Sequence, residues 1–244
     1  ALPGDICCIN MDDPFVSALP LPPGVKTVRY GSSSDCDVRL LSATVDPTSL
    51  STEFDIETPQ GAAKCSLPSP GVHMAHNATA AICVGIALGL DLDGMIERIA
   101  RYQPVGMRLR IEEGPQGIRV INDAYNANPM SVAANLKTLA AIPSGNGTRR
   151  IALLGDMLEL GPTEIEQHRE IVDLAEQLKL DIIAFVGPRF TEAVGHRHIC
   201  ALNATELAEQ IRNDLHPGDI VLLKGSRGMA MEQVLQGLEH KETI

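Results

Sequence analysis

The sequence is poor in aromatic side chains, which make up 3% of its 244 residues, and it has no tryptophan. Stacking platforms for single-stranded nucleic acid need such rings, so the core has to be built from Leu, Ile, Val and Ala instead. An excess of positive charge is also missing. The net charge is −11, with six basic against twelve acidic residues up to position 104 and fourteen against nineteen beyond it. Neither half offers a basic surface to a phosphate backbone, and no nucleic-acid partner is expected. No apolar run approaches the roughly 18–20 residues that a helical membrane span needs. The longest, residues 78–90, reads as a buried helix, so no membrane span is expected. Residues 1–10 have neither the basic start nor the apolar stretch of a secretory signal.

Several chemical signatures are absent too. Cys7, Cys8, Cys36, Cys65, Cys83 and Cys200 show no C-x-x-C spacing and read as reduced thiols in a cytosol-like compartment. A phosphate-binding P-loop needs glycines before Lys-Ser or Lys-Thr; Lys26-Thr27 comes nearest, but Val25 stands where glycine is required. Gly145-Asn146-Gly147 precedes a predicted strand instead of following one, so it is no dinucleotide fingerprint. No His or Cys pair has zinc spacing, and His196 with His198 reads as a solvated pair. There is no Gly-x-Ser-x-Gly elbow for a hydrolase nucleophile. His168, inside a predicted helix, reads as a surface or supporting residue.

What is present falls into two parts with a border near Pro104. Before it, short β-rich segments at 6–10, 27–30, 37–44 and 52–58 are separated by Pro, Gly and Ser, followed by helices over 76–90 and 93–101. Asp91 or Asp93 is the candidate cap of the second helix. After it, a hairpin over 107–111 and 118–122 leads into alternating helices and strands. Helices are predicted at 129–141, 163–178, near Phe190, at 205–215 and at 229–238, with strands at 151–154, 182–186, 199–202 and 220–223. The strands Ile-Ala-Leu-Leu and Ile-Val-Leu-Leu are continuously apolar, as strands covered on both faces are. This alternation implies an α/β architecture with a mostly parallel sheet. Asn128-Pro129 marks one helix start and Thr163 with Glu166 predicts a capping box at another.

Ligands in such sheets bind where strands end at their carboxyl side. Three polar loops lie there: residues 123–129, 155–161 and 224–228. Lys224 and Arg227, beside Gly225 and Gly228, suit an anion. Ordinary turn and cap chemistry accounts for any one such loop alone.

The stretches Asp-Ala-Tyr-Asn-Ala-Asn-Pro-Met-Ser (123–131) and Leu-Gly-Asp-Met-Leu-Glu-Leu-Gly (154–161) resemble the Mur ligases. So do Lys224-Gly225-Ser226-Arg227 with Met229, Met231 and Glu232, and Gly71-Val72-His73-Met74-Ala75-His76-Asn77. The likeness runs over about residues 1–238, and it is nearest to the branch that adds D-alanyl-D-alanine. The neighbouring branch would carry Asp-Asn-Pro-Arg, which is absent. The resemblance implies that residues 1–104 are the back half of a central ATPase domain and residues 105–244 a Rossmann-like C-terminal domain. It also implies that the chain, which starts at Ala1 without Met, is entered in the middle. The N-terminal part of the same enzyme, with its P-loop, magnesium-binding carboxylate and carbamylated lysine, would lie upstream.

By the same resemblance the cofactors are ATP and Mg2+, and the substrates are UDP-N-acetylmuramoyl-tripeptide and D-alanyl-D-alanine, joined through an acyl phosphate in peptidoglycan synthesis. Asn77 would contact adenine, Arg108 the nucleotide and Asp123 the ribose, with Tyr125 and Asn128 along the same cleft. Asn126, Asp156, Ser226 and Arg227 would face the acceptor or the peptide carboxylate, and Arg108, Lys224 and Arg227 would serve catalysis. Two positions depart from the family: Met74 replaces an Asn, and Met107 stands where His is common. The chain alone is expected to be inactive. A cytoplasmic location is expected, or a plastid stroma in a photosynthetic eukaryote. Two alternatives stay open: a non-catalytic nucleotide- or peptide-binding module derived from such a ligase, and a superfamily member acting on folate or poly-amino acids.

Overall fold

The computed structural model describes residues 1–143, 147–195 and 197–239. The sequence readings of Gly145, Asn146 and His196 fall outside these described residues. The chain divides into two compact units, Ala1–Gln103 and Pro104–Ile244.

In the first unit β1 (Ile6–Asn10) leads through a short helix, α1 (Pro14–Ser17), to β2 (Lys26–Gly31), β3 (Val38–Val45), β4 (Thr52–Thr58) and β5 (Gly61–Leu67). These strands lie side by side in chain order. β1, β2 and β3 run parallel; β3, β4 and β5 are antiparallel neighbours. Helices α2 (Val72–Ala87) and α3 (Leu92–Ala100) follow. Burial alternates along β4, with Phe54 and Ile56 pointing inward among Val38, Leu40, Ile82 and Cys83. The inner face of α2 includes Ala75 and Ala78, small residues that let a helix lie close to a sheet.

The structure adds one strand to the sequence reading, shifts one helix and decides between two candidate caps. β5 was not foreseen, because Gly-Ala-Ala-Lys-Cys-Ser-Leu has weak strand propensity. It forms because β4 pairs with it along seven residues and because Cys65 and Leu67 are buried. α2 begins at Val72 instead of 76, directly after Gly71 at φ +126°, and ends at Ala87 instead of 90. Asp91, not Asp93, caps α3 by accepting the Gly94 N–H at 2.9 Å.

The second unit contains β6 (Arg110–Glu113), β7 (Arg119–Asp123), α4 (Pro129–Ala141), β8 (Arg150–Gly155), α5 (Glu164–Gln177) and β9 (Ile182–Val186). It continues with α6 (Pro188–Val194), β10 (Ile199–Ala201), α7 (Ala204–Ile211), β11 (Ile220–Lys224) and α8 (Glu232–Glu239). The sheet order is β10-β9-β8-β11-β7-β6, parallel except for β6, which pairs antiparallel with β7. Val120, Ile151, Leu153, Val221 and Leu223 pack with Leu207, Ile211, Val234 and Leu238 of α7 and α8. Residues of opposite parity, such as Ile121, Ala152 and Leu222, are buried as well, and α4 packs against β8 and β11. The apolar strands are therefore covered on both faces, as a parallel sheet requires.

Asn128 caps α4 reciprocally: its side chain accepts the Ser131 N–H, and the Ser131 hydroxyl accepts the Asn128 N–H. The capping box predicted at Thr163 does not form. Its hydroxyl instead accepts from the Gln167 amide at 2.6 Å. The predicted helix over 229–238 is also broken: a 3-10 turn spans Arg227–Met229, Ala230 adopts φ +47°, and α8 starts only at Glu232.

Candidate functional site

The strand register decides which side chains share the carboxyl edge of the second sheet. Lys224 ends β11 opposite Asp123 at the end of β7 and Leu154 near the end of β8. Loops 123–129, 155–161 and 224–228 therefore open from adjacent strands of one edge.

Asp123 is an anchored carboxylate. Its Oδ1 accepts the Leu109 N–H at 3.1 Å, and its Oδ2 accepts the Asn135 amide at 2.6 Å and the Lys224 ammonium at 2.5 Å. Lys224 is 2% exposed and also donates to the Asn126 carbonyl at 2.9 Å. Burial pulls the Lys224 pKa below its ordinary value, and the attraction of Asp123 opposes that shift. Leu109 sits at φ +54°, a left-handed conformation costly for a branched side chain, and this turn aims its N–H at Asp123. Just before it, the Met107 carbonyl accepts the Tyr125 N–H, and the Arg108 guanidinium lies 4.0 Å over the Tyr125 ring. Arg108, Tyr125, Asn126 and Asn128 are all exposed, so a cation, a phenol and two carboxamides are available to solvent around one anchored carboxylate. Arg227 is exposed too, paired with Glu232 at 2.9 Å.

Sequence reasoning turned Asp156, Ser226 and Lys224 toward a substrate; the structure buries all three. Asp156, fully buried, accepts the N–H groups of Arg189 and Phe190 at the start of α6 at 3.1 and 2.9 Å. A carboxylate suits two free helix amides better than solvent-facing work does. Ser226 accepts the Leu158 N–H at 2.8 Å, while its own N–H donates to the Asp156 carbonyl. His168 is likewise fully buried, not on the surface. Its Nε2 accepts the Met157 N–H at 3.0 Å, its Nδ1 faces the Glu164 carbonyl at 2.6 Å, and burial depresses its pKa. Asp156, His168 and Ser226 thus hold loop 155–161 from behind.

Asn135 and Arg189 also shape this edge, and sequence reasoning missed both. An Asn on the buried face of α4 is a signal that could have been noticed. Arg189 carried none.

In the first unit, Asn77 lies exposed on α2 with its amide 3.7 Å from the Met74 sulfur. Both border a pocket of about 330 Å³ that Leu67, Ala81, Ile99 and Tyr102 also line. Among the described residues, no cluster of three or more His, Cys, Asp or Glu could hold a metal ion.

Residues 107–227 match the family model described as Mur ligase, glutamate ligase domain. The second unit carries a Mur ligase C-terminal domain. More particularly, the chain is 30% identical over 225 residues to the UDP-N-acetylmuramoyl-tripeptide–D-alanyl-D-alanine ligase of Escherichia coli (strain K12), covering 90% of this chain and 49% of that protein. The ligase of the same name from Treponema pallidum is 35% identical over 184 residues, 72% of this chain and 39% of that protein. Among solved structures, MurF from Acinetobacter baumannii superimposes with a TM-score of 0.82 at 27% identity, covering 98% of this chain and 52% of that one. MurF from Thermotoga maritima in complex with ADP gives 0.81 at 25% identity, covering 96% and 53%. The chain spans about half the length of the curated relatives it matches.

Proposed function

We propose that this chain is part of an ATP-dependent amide ligase that joins D-alanyl-D-alanine to UDP-N-acetylmuramoyl-tripeptide in peptidoglycan synthesis. The observation that carries the reading is the likeness to ligases of that name over nine-tenths of the chain, together with an exposed Arg108–Tyr125 stack beside an anchored Asp123. A carboxylate is a poor electrophile until its oxygen becomes a leaving group. In this reading ATP phosphorylates the peptide carboxylate, and the dipeptide amine then displaces phosphate. Arg108 meets the nucleotide phosphates, where a guanidinium offers charge and paired donors. Asp123 accepts from the ribose; three inward donors leave this carboxylate acceptor capacity for a sugar hydroxyl. Asn77 reads adenine, Tyr125 and Asn128 flank the nucleotide, and Asn126 and Arg227 face the acceptor. Lys224, Asp156 and Ser226 act from behind, by fixing the loops that carry these groups.

Magnesium would supply charge neutralisation on the phosphates in such a ligase, and no residue of this chain is assigned to it. The domain assignment follows the same reading: residues 1–104 as the back half of the ATPase domain and 105–244 as the C-terminal domain. Cytoplasmic ATP and sugar-nucleotide pools make the cytoplasm its place of action, with a role in cell shape and division through the wall. No helix among the described residues is long and apolar enough to cross a membrane. Because the sequence holds no Gly-x-x-Gly-Lys-Thr, the chain alone is proposed to be silent in turnover.

Calorimetric titration of the chain with ADP tests the binding half. Loss of a charge-assisted contact of roughly 1.5–3 kcal/mol should weaken ADP by about tenfold or more in Arg108→Ala. Equal affinity in both proteins would remove Arg108 from the nucleotide site. Phosphate release with ATP, magnesium and both substrates tests the other half: steady turnover by this chain alone contradicts the silent reading.

A further inference from the structure

The first unit contains a thiol pair that the ligase reading does not use. Cys8 on β1 is the register partner of Val28 on β2, so the two side chains point to the same face of the sheet. That face is the one α2 covers: Cys8, Val28 and Tyr30 all pack against the cluster that contains Cys83. The Cys83 thiol, fully buried on α2, donates to the carbonyl of that same Val28 at 3.6 Å. Two sulfurs thus approach one residue, Cys8 from along the sheet and Cys83 from the helix above it. Cys7, one residue earlier, points to the opposite face and has no part in the cluster.

We propose that Cys8 and Cys83 form a redox-modifiable pair, converted to a disulfide by a low-molecular-weight disulfide such as oxidised glutathione. The half-buried Cys8 reacts first. Its thiolate attacks one sulfur of the glutathione disulfide, the S–S bond breaks, and one glutathione thiolate leaves and takes up a proton. The Cys83 thiolate then attacks the Cys8 sulfur and expels the second glutathione. Two protein thiols are oxidised and one glutathione disulfide is reduced to two thiols, so electrons and protons balance. Burial, with Cys8 as the next cause, holds the Cys83 thiol up at about 12, so Cys83 does not attack glutathione disulfide itself and Cys8 is captured first. The bond would clamp β1, the outermost strand of the sheet, to the helix that carries Met74 and Asn77.

The test treats the whole chain with oxidised glutathione, alkylates remaining thiols, digests it without reduction and maps linked peptides by mass spectrometry. A Cys7→Ser/Cys65→Ser background removes the neighbouring thiols from the peptides concerned. The expected product is a Cys8–Cys83 peptide pair, lighter than its reduced halves by two hydrogens, in a protein with a higher thermal midpoint than the reduced form. Cys83→Ser should stop at Cys8 carrying one glutathionyl group, and Cys8→Ser should leave Cys83 unmodified. A persistent glutathionyl group on Cys8 with Cys83 intact would overturn the proposal. So would a link from Cys83 to Cys36. Neither readout depends on ligase activity, so the proposal stands or falls independently of the function assigned above.

Discussion

The two units solve the problem of covering a sheet differently. In the second, β8, β9 and β11 are buried almost continuously, so both faces of these strands are covered. In the first, burial alternates along β4, and Leu41 on β3 is 47% exposed. A sheet packed on both faces has little freedom at its strand ends, and the polar loops there inherit that rigidity. A sheet packed on one face fixes only alternate residues. The exposed groups around Asp123 sit on the first kind of scaffold, which is what holding several side chains in register demands.

Substitutions can break this contrast. The largest effect is expected from Asp156→Ala in the second unit, which strips the buried amides of Arg189 and Phe190 of their acceptor. The cost should be about 4 kcal/mol in chemical denaturation, and Asp156→Asn, which keeps one acceptor oxygen, should cost less. Lys224→Met should follow at about 3 kcal/mol, because Asp123 then keeps Asn135 and Leu109 but loses its buried cation.

The buried imidazole of His168 makes the same scaffold sensitive to acid. Its pKa in the fold lies below the ordinary 6.5, so in that window the unfolded chain binds more protons than the folded one. Stability should therefore fall as pH drops from 6.5 toward the depressed folded value and level off below it. His168→Gln, whose amide oxygen can still accept from Met157, should flatten that slope in melting curves taken across the range. The smallest effect belongs to the first unit. Leu41→Ser on its open face should change stability by less than about 0.5 kcal/mol. A loss comparable to that of Lys224→Met would mean that this face is covered and would erase the contrast.

How much of this was legible follows the same division. Continuous apolar runs such as Ile-Val-Leu-Leu announce a strand buried on both sides, and Asn128-Pro129 with Ser131 announces the start of α4, because those signals are local. β5 was invisible because its residues are poor strand formers and only the neighbouring β4 makes a strand of them. The edge residues were read by type but not by direction. Asp156 and Lys224 look like substrate ligands in a sequence, since nothing local reveals that α6 supplies two amides to one and β7 a carboxylate to the other. Arg108, Tyr125 and Asn128, by contrast, are exposed around Asp123, the last two on loop 123–129 and Arg108 just before β6.

The stacking of Arg108 on Tyr125 has an optical side. With no tryptophan and three tyrosines in the chain, emission from the phenols is not masked by indole. Tyr30 and Tyr102 belong to the first unit, leaving Tyr125 as the single tyrosine of the second. Any ligand that draws the guanidinium away from that ring changes the surroundings of this one chromophore. The protein thus carries an unlabelled reporter at the place where its nucleotide is proposed to arrive.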